Sequence, residues 1–209
     1  MAKRAWTVGV DFGGTAVKVG LVMSTGRVHR MMVIASRRLA TPAAFIDGIA
    51  RTVRSLARSV GVQSSQLCGV GIGAPGPVDV ARGVIHVLVN VPGWHEVALR
   101  RPLERRLKCP CFIHNDVNLL TLGEWRFGAG RGARALVGLT LGTGVGGGFV
   151  CDGALYRGVS GAAGELGHMI IRAQGWRCAC GARGCLEAYV GTKGILRMTR
   201  QAVRKRPGV

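Results

Sequence analysis

Residues 6–23 read WTVGVDFGGTAVKVGLVM: a β-rich run from Trp6 to Val10, a turn at Asp11-Phe12-Gly13-Gly14-Thr15, and a second β-rich run from Val17 to Met23. Gly26 turns the chain again into Arg27 to Ile34, which predicts a three-stranded meander. A helix should follow. Thr41 can cap it, Pro42 suits its first position, and Ile46, Ile49, Ala50, Val53, Leu56, Ala57 and Val60 recur at helical spacing before Gly61. Leu67 to Ile72 reads as a buried strand that runs into the turn Gly73-Ala74-Pro75-Gly76-Pro77. A short helix from near Pro102 to Lys108 and a strand from Cys111 to His114 complete an N-terminal α/β domain, residues 1–115.

Residues 116–209 repeat the theme. Asn118 to Phe127 looks helical, and Leu136 to Leu141 and Gly148 to Cys151 read as strands around a glycine turn. Two halves, each built on strand, glycine turn and strand, predict a duplicated α/β architecture with a cleft between the halves. After Glu187 a helix-like stretch, interrupted by Gly191 and Gly194, leads into Arg204-Lys205-Arg206-Pro207-Gly208-Val209. No further strands are available to finish a second sheet, so the second domain is expected to be incomplete and the chain truncated.

Composition limits the function. At 209 residues and 48% hydrophobic, the chain can bury a core and is not disordered. The two longest uncharged runs, Ser59 to Val78 and Ala135 to Cys151, carry prolines with polar residues or many glycines, and neither suits a lipid-facing helix. Only six residues separate Arg4 from Asp11, too few for a secretory signal. A cytoplasmic location is expected, with the 7 cysteines as thiols or metal ligands. The net charge is +19, and arginine supplies 24 of the 29 basic residues. These are scattered and aromatics make up only 5%, which reads as a solvated arginine-rich surface rather than a nucleic-acid site. Anionic ligands such as nucleotides would still be attracted.

Gly142-Thr143-Gly144-Val145-Gly146-Gly147 matches G-x-G-x-x-G, with Glu165 downstream. A dinucleotide turn must open a helix, however, and here a strand and another turn follow. No G-K-[ST] occurs, which excludes a Walker A loop. Glycine hairpins can still cradle phosphate through backbone N–H groups. An ordinary tight hairpin would explain one such turn; one in each half favours phosphate. The candidates are Gly13, Gly14 and Thr15 in the first turn and Gly142, Thr143, Gly144, Gly146 and Gly147 in the second. Asp11 would face the phosphates and hold Mg²⁺ directly or through water.

Cys178-x-Cys180-x₄-Cys185, with His168 upstream, supplies three thiolates and an imidazole, a standard tetrahedral zinc set with no position open for water. Unmetallated buried cysteines are the alternative. Cys68, Cys109, Cys111 and Cys151 lack such company and read as core thiols. Glu165-x-x-His168 and Glu187 bracket the cluster, where carboxylates and imidazole could hold the hydroxyls of a polyol. Asn115-Asp116 places an acid after the Cys111 to His114 strand, suited to accept a hydroxyl proton or, more plainly, to cap the following helix.

Taken together, these residues resemble the ROK family (repressors, open reading frames and kinases), in its sugar-kinase branch near bacterial glucokinases. The matching pieces are DFGGT at 11–15, GIGAPGPVD at 71–79, NVPGW at 90–94, HND at 114–116, LGTGVGGG at 141–148, GELGH at 164–168 and CACGARGCLEAY at 178–189. The resemblance implies an actin-like, ribonuclease-H-like fold of two α/β domains closing on ATP and a sugar, and ATP-dependent phosphorylation of a hexose hydroxyl. It makes Asp116 the catalytic base and Asn90, Asn115, Glu165, His168 and Glu187 sugar contacts. The two glycine turns become ATP-phosphate loops. His168, Cys178, Cys180 and Cys185 become zinc ligands, with His168 giving one ring nitrogen to metal and the other to sugar. A homodimer is expected at full length, and the scattered charge and the lack of an apolar span lead to no expected specific nucleic-acid or membrane partner. Many relatives carry Lys directly after DxGGT, where this chain has Ala16, with Lys18 two residues on. The family's adenosine-binding loop lies in the C-terminal part that is missing here. With DFGGT beginning at residue 11, a repressor's helix-turn-helix is not expected. A sugar-binding remnant without activity is the competing reading, and the hexose itself is open between glucose, N-acetylated hexosamines and fructose.

Overall fold

The structure, a computed structural model, describes residues 6–88, 91, 93–159, 161 and 163–205; Asn90 lies outside them. The chain divides into two compact units, residues 1–119 and 120–209.

In the first unit, β1 (Trp6–Phe12), β2 (Ala16–Met23) and β3 (Val28–Ala35) form the expected antiparallel meander. Val8, Val10 and Phe12 point inward at the period of two, so β1 runs through Phe12 and leaves Asp11 outward on the strand rather than in the turn. Helix α1 (Pro42–Arg58) starts as the sequence predicts: the Thr41 hydroxyl accepts the Ala44 N–H at 3.2 Å and Pro42 occupies the first turn. Its Phe45, Ile49, Val53 and Leu56 are all but fully buried. Strand β4 (Gly69–Ala74) pairs parallel to β1. A small antiparallel sheet of β5 (Val78–Asp79), β6 (Val84–Val87) and β7 (His95–Ala98) follows, which the sequence pattern does not announce. Helix α2 (Arg100–Leu107) then leads to β8 (Cys111–Asn115), parallel to β4. The main sheet has the order β3-β2-β1-β4-β8. Its core is anchored by Phe12, Phe45 and Trp94, whose rings lie 4.4–5.4 Å apart, with the Trp94 indole N–H donating to Ala40 O at 2.6 Å.

Helix α3 (Asp116–Phe127) starts two residues before the sequence pattern suggests, because Asn115 caps it: its Oδ1 accepts the Asn118 N–H at 3.0 Å. The second unit builds on β9 (Ala135–Leu141), β10 (Val145–Cys151) and β11 (Ala154–Tyr156), antiparallel in the order β11-β10-β9. Strand β10 begins at Val145, so the glycine turn shrinks to Gly142-Thr143-Gly144, while Gly146 and Gly147 pair with Thr140 and Leu139. A cysteine loop, then α4 (Leu186–Val190) and α5 (Thr192–Lys205), follow. Val145, Val150, Cys178 and Cys185 are buried in this unit, but Val137, Leu139 and Leu141 on one face of β9 are exposed. Among the described residues no helix is long and apolar enough to cross a membrane.

Candidate active site

The carboxyl ends of three parallel strands, β1, β4 and β8, carry the acids of the first unit. Ligands commonly bind outside such ends. Asp11 lies opposite Gly73, and Gly73 lies opposite His114, one step before Asn115-Asp116. Asp116 is the first residue of α3 and half-buried, with its Oδ1 accepting the Val117 N–H at 2.9 Å. Burial raises its pKa above the usual carboxylate value, and the charge of Asp11 raises it further. The two acids therefore share one electrostatic environment. Asp11 itself is exposed, with Lys18 Nζ 3.3 Å from its Oδ2. A single exposed carboxylate suits Mg²⁺, which keeps several waters and takes one or two carboxylates from protein.

Gly73 makes this close approach of strand and helix possible. A Cβ there would lie 3.2 Å from the Asp116 Cα, closer than ordinary packing allows. Gly73→Ala should therefore push the start of α3 outward by a few tenths of an ångström and lower turnover about ten-fold, since small misplacements of a reacting group are costly. Steady-state kinetics alongside a thermal melt would check that the loss lies in turnover rather than folding. Asn115 is engaged at both ends of its amide, capping α3 and donating from Nδ2 to Gly76 O at 3.3 Å.

The first turn is strapped from outside: Ser36 donates its hydroxyl to Gly13 O at 2.7 Å and its N–H to Thr15 O at 3.0 Å. The amides of Gly13, Gly142 and Val145 are already bonded within the protein. Among the described residues, the first turn keeps the amides of Gly14 and Thr15 and the Thr15 hydroxyl without a bond inside the protein, and the second turn keeps the amides of Thr143 and Gly144 and the Thr143 hydroxyl.

In the second unit the structure gathers the sequence-predicted metal set. The ligand atoms of His168, Cys178, Cys180 and Cys185 all lie within 4.8 Å of one another. Cys180 Sγ and Cys185 Sγ are 3.7 Å apart, and His168 Nδ1 is 3.7 Å from Cys178 Sγ. A tetrahedron with Zn–S bonds near 2.3 Å has edges of about 3.8 Å, so the donor set fits zinc. Burial pushes the Cys185 thiol up to about 11 and raises Cys178, whereas the N–H of Ala182 holds Cys180 down. His168 turns its other nitrogen toward Glu165, Nε2 to Oε2 3.8 Å. Glu165 is exposed; Glu187 is half-buried. Glu187 Oε2 accepts the Val145 N–H at 3.0 Å and its Oε1 lies 3.7 Å from Cys178 Sγ. The sequence reading missed Gly73, the Asp11–Lys18 pair and these bonds of Glu187. A glycine inside a strand is a recognised sign of close backbone approach and could have exposed the first.

The description "ROK family" matches residues 7–208. A glucokinase from Halalkalibacterium halodurans is 38% identical over 199 residues, covering 95% of this chain and 60% of the relative. A glucokinase from Thermotoga maritima is likewise 38% identical, over 95% of this chain and 61% of its own length. The crystal structure of a ROK hexokinase from Thermus thermophilus superposes with a TM-score of 0.83 at 34% identity, covering 95% of this chain and 64% of that one. A ROK family glucokinase from Streptomyces griseus, in complex with glucose and AMPPNP, gives 0.78 at 35% identity, over 97% of this chain and 62% of that one. The chain thus spans about three-fifths of the length of these relatives, and its fold is the actin-like α/β fold of the sugar kinases among them. A match that begins one residue into β1 and runs past α5 takes in both glycine turns, the acids of the first unit and the Cys/His cluster; the chain belongs to the ROK family.

Proposed function

We propose that this chain carries the sugar site and phosphate turns of an ATP-dependent hexose kinase, with glucose as the preferred acceptor. The observation that carries the reading is Asp116, a half-buried carboxylate of raised pKa at the carboxyl ends of parallel strands, near a second acid suited to a metal. A raised pKa makes a carboxylate a better proton acceptor at the moment of attack. Asp116 takes the proton from the sugar hydroxyl as its oxygen attacks the terminal phosphorus of ATP, and the bond from that phosphorus to the bridging oxygen breaks to release ADP. Asp11 is the residue that would hold Mg²⁺, which supplies charge neutralisation on the phosphates when bound. The free amides and hydroxyls of the two turns orient the phosphate chain. Zinc, held by His168, Cys178, Cys180 and Cys185, is structural, and Glu165 and His168 face the sugar. Glucokinase relatives and the glucose- and AMPPNP-bound structure support this assignment.

A coupled ADP-release assay across glucose, N-acetylglucosamine, N-acetylmannosamine, mannose and fructose, run on a chain that spans the full length of its relatives, tests it. Release is expected with glucose foremost. Sugar binding with no ADP release on any sugar would overturn the kinase reading in favour of a sensor. Glu165→Gln should raise the sugar KM about ten-fold with a smaller loss of turnover, because it weakens a substrate contact made before and during reaction alike. Separate kcat and KM measurements would reveal the opposite balance if Glu165 were the base.

A further inference from the structure

The cysteine cluster and the second glycine turn are joined by a short chain of contacts. Cys185 is buried and directly precedes α4. Two residues on, Glu187 reaches back to accept the Val145 N–H at 3.0 Å, with its other oxygen 3.7 Å from Cys178 Sγ. Helix α4 ends at Gly191, and Thr192 then donates both its N–H, at 3.0 Å, and its hydroxyl, at 2.8 Å, to Gly142 O. Both ends of Gly142-Thr143-Gly144 are thus held by the segment that follows the last cysteine. The fit is close: a Cβ on Gly144 would come within 2.6 Å of Glu187 Oε2. A three-residue hairpin closed by the β9–β10 register needs no such support. Its remaining donors are the ones an anion would use, and their directions depend on how the turn is held.

We infer that Glu187 and Thr192 are positioning residues, a clasp through which the metal-held loop sets the shape of the second glycine turn. What the turn holds, a nucleotide phosphate, rests on the kinase reading; the clasp does not. Glu187, which the family resemblance assigns to sugar, also reaches the second turn, its Oε2 accepting the Val145 N–H at 3.0 Å.

The test compares Thr192→Val, Thr192→Ser and Glu187→Ala with the wild-type chain, all zinc-loaded. Hydrogen exchange is read separately for the turn and for the Cys178–Cys185 loop, with zinc content measured alongside. Losing a hydrogen bond of this kind should speed local opening about five-fold. Thr192→Val is expected to show that acceleration in residues 142–145 alone, with zinc and the cysteine loop unchanged. Thr192→Ser should restore wild-type exchange. The nucleotide KM should rise by about the same factor in Thr192→Val while the sugar KM stays put. Faster turn exchange with an unchanged nucleotide KM would support the clasp and overturn the phosphate assignment of the turn. Should Thr192→Val fail to fold, Glu187→Ala, which removes the acceptor of the Val145 N–H, carries the exchange comparison. Wild-type exchange in the turn of both folded variants, or acceleration that starts in the cysteine loop with loss of zinc, would overturn the clasp.

Discussion

Asp116→Asn is expected to lower turnover by about 10²–10⁴ while leaving the sugar KM nearly unchanged and the protein at least as stable as wild type at neutral pH. The amide keeps the shape of the carboxylate and can still accept the Val117 N–H, now made at 2.9 Å. It cannot take a proton. Phosphoryl transfer is mostly positioning and charge stabilisation, so the loss isolates the one proton transfer the reaction needs. The stability arm follows from linkage. Burial first, and then the charge of Asp11, raise the pKa of Asp116 in the fold. A group with a raised folded pKa contributes stability that is fully present below its unfolded pKa and is lost as pH rises through the folded value. At pH 7 the ionised carboxylate is therefore a burden that Asn removes, and the variant's melting temperature should match or exceed wild type. That margin should shrink as pH falls from 7 toward about 4, the ordinary value of an aspartate carboxyl, since the raised folded value is crossed first. Melts at both pH values, beside steady-state kinetics, test the two halves separately. Near wild-type turnover would place the base elsewhere and reduce Asp116 to the opening residue of α3.

Local periodicity carried the reading of the first unit far. Val8, Val10 and Phe12 alternate cleanly, and Thr41-Pro42 announces α1, because both signals depend only on residues a few positions apart. The gathering of His168, Cys178, Cys180 and Cys185 into one cluster was legible for a related reason, since donors of this chemistry at this spacing restrict what the loop can do. The sheet β5-β6-β7 was not, and it contains Glu96 at φ 51, a conformation that nothing in its neighbours demands. Contacts across long separations were also invisible. Val145 and Glu187 are 42 residues apart, and Gly142 and Thr192 are 50 apart, so no window along the chain could pair them. The length of the second turn was misjudged because glycines at 146 and 147 read as flexible, while their ladder partners Thr140 and Leu139 hold them in β10.

Stripping the metal with a strong chelator is expected to unfold the second unit while the first keeps its structure. The first unit has its own core of large side chains, Phe45, Trp94, Ile49, Leu56 and Ile72 among them, each no more than 1% exposed. In the second unit two of the few buried apolar side chains, Cys178 and Cys185, are themselves ligands, and a face of β9 stays exposed. If the cluster holds zinc as proposed, the unit's folding energy comes largely from the metal. Structural zinc contributes about 10–16 kcal/mol in small zinc peptides, as much as the whole stability of a typical domain. Cys180→Ser should act in the same direction but less far, lowering zinc content and the second unit's melting temperature together. Calorimetry should then resolve an early, metal-dependent transition from a later, metal-independent one. The environment of Trp176, stacked 4.7 Å from Tyr189 beneath Arg197, reports on the second unit. That of Trp94 reports on the first. If elemental analysis found no zinc in the purified protein, or if chelation left the Trp176 signal in place, the cluster would be a set of packed thiols and the stability of the second unit would need another source.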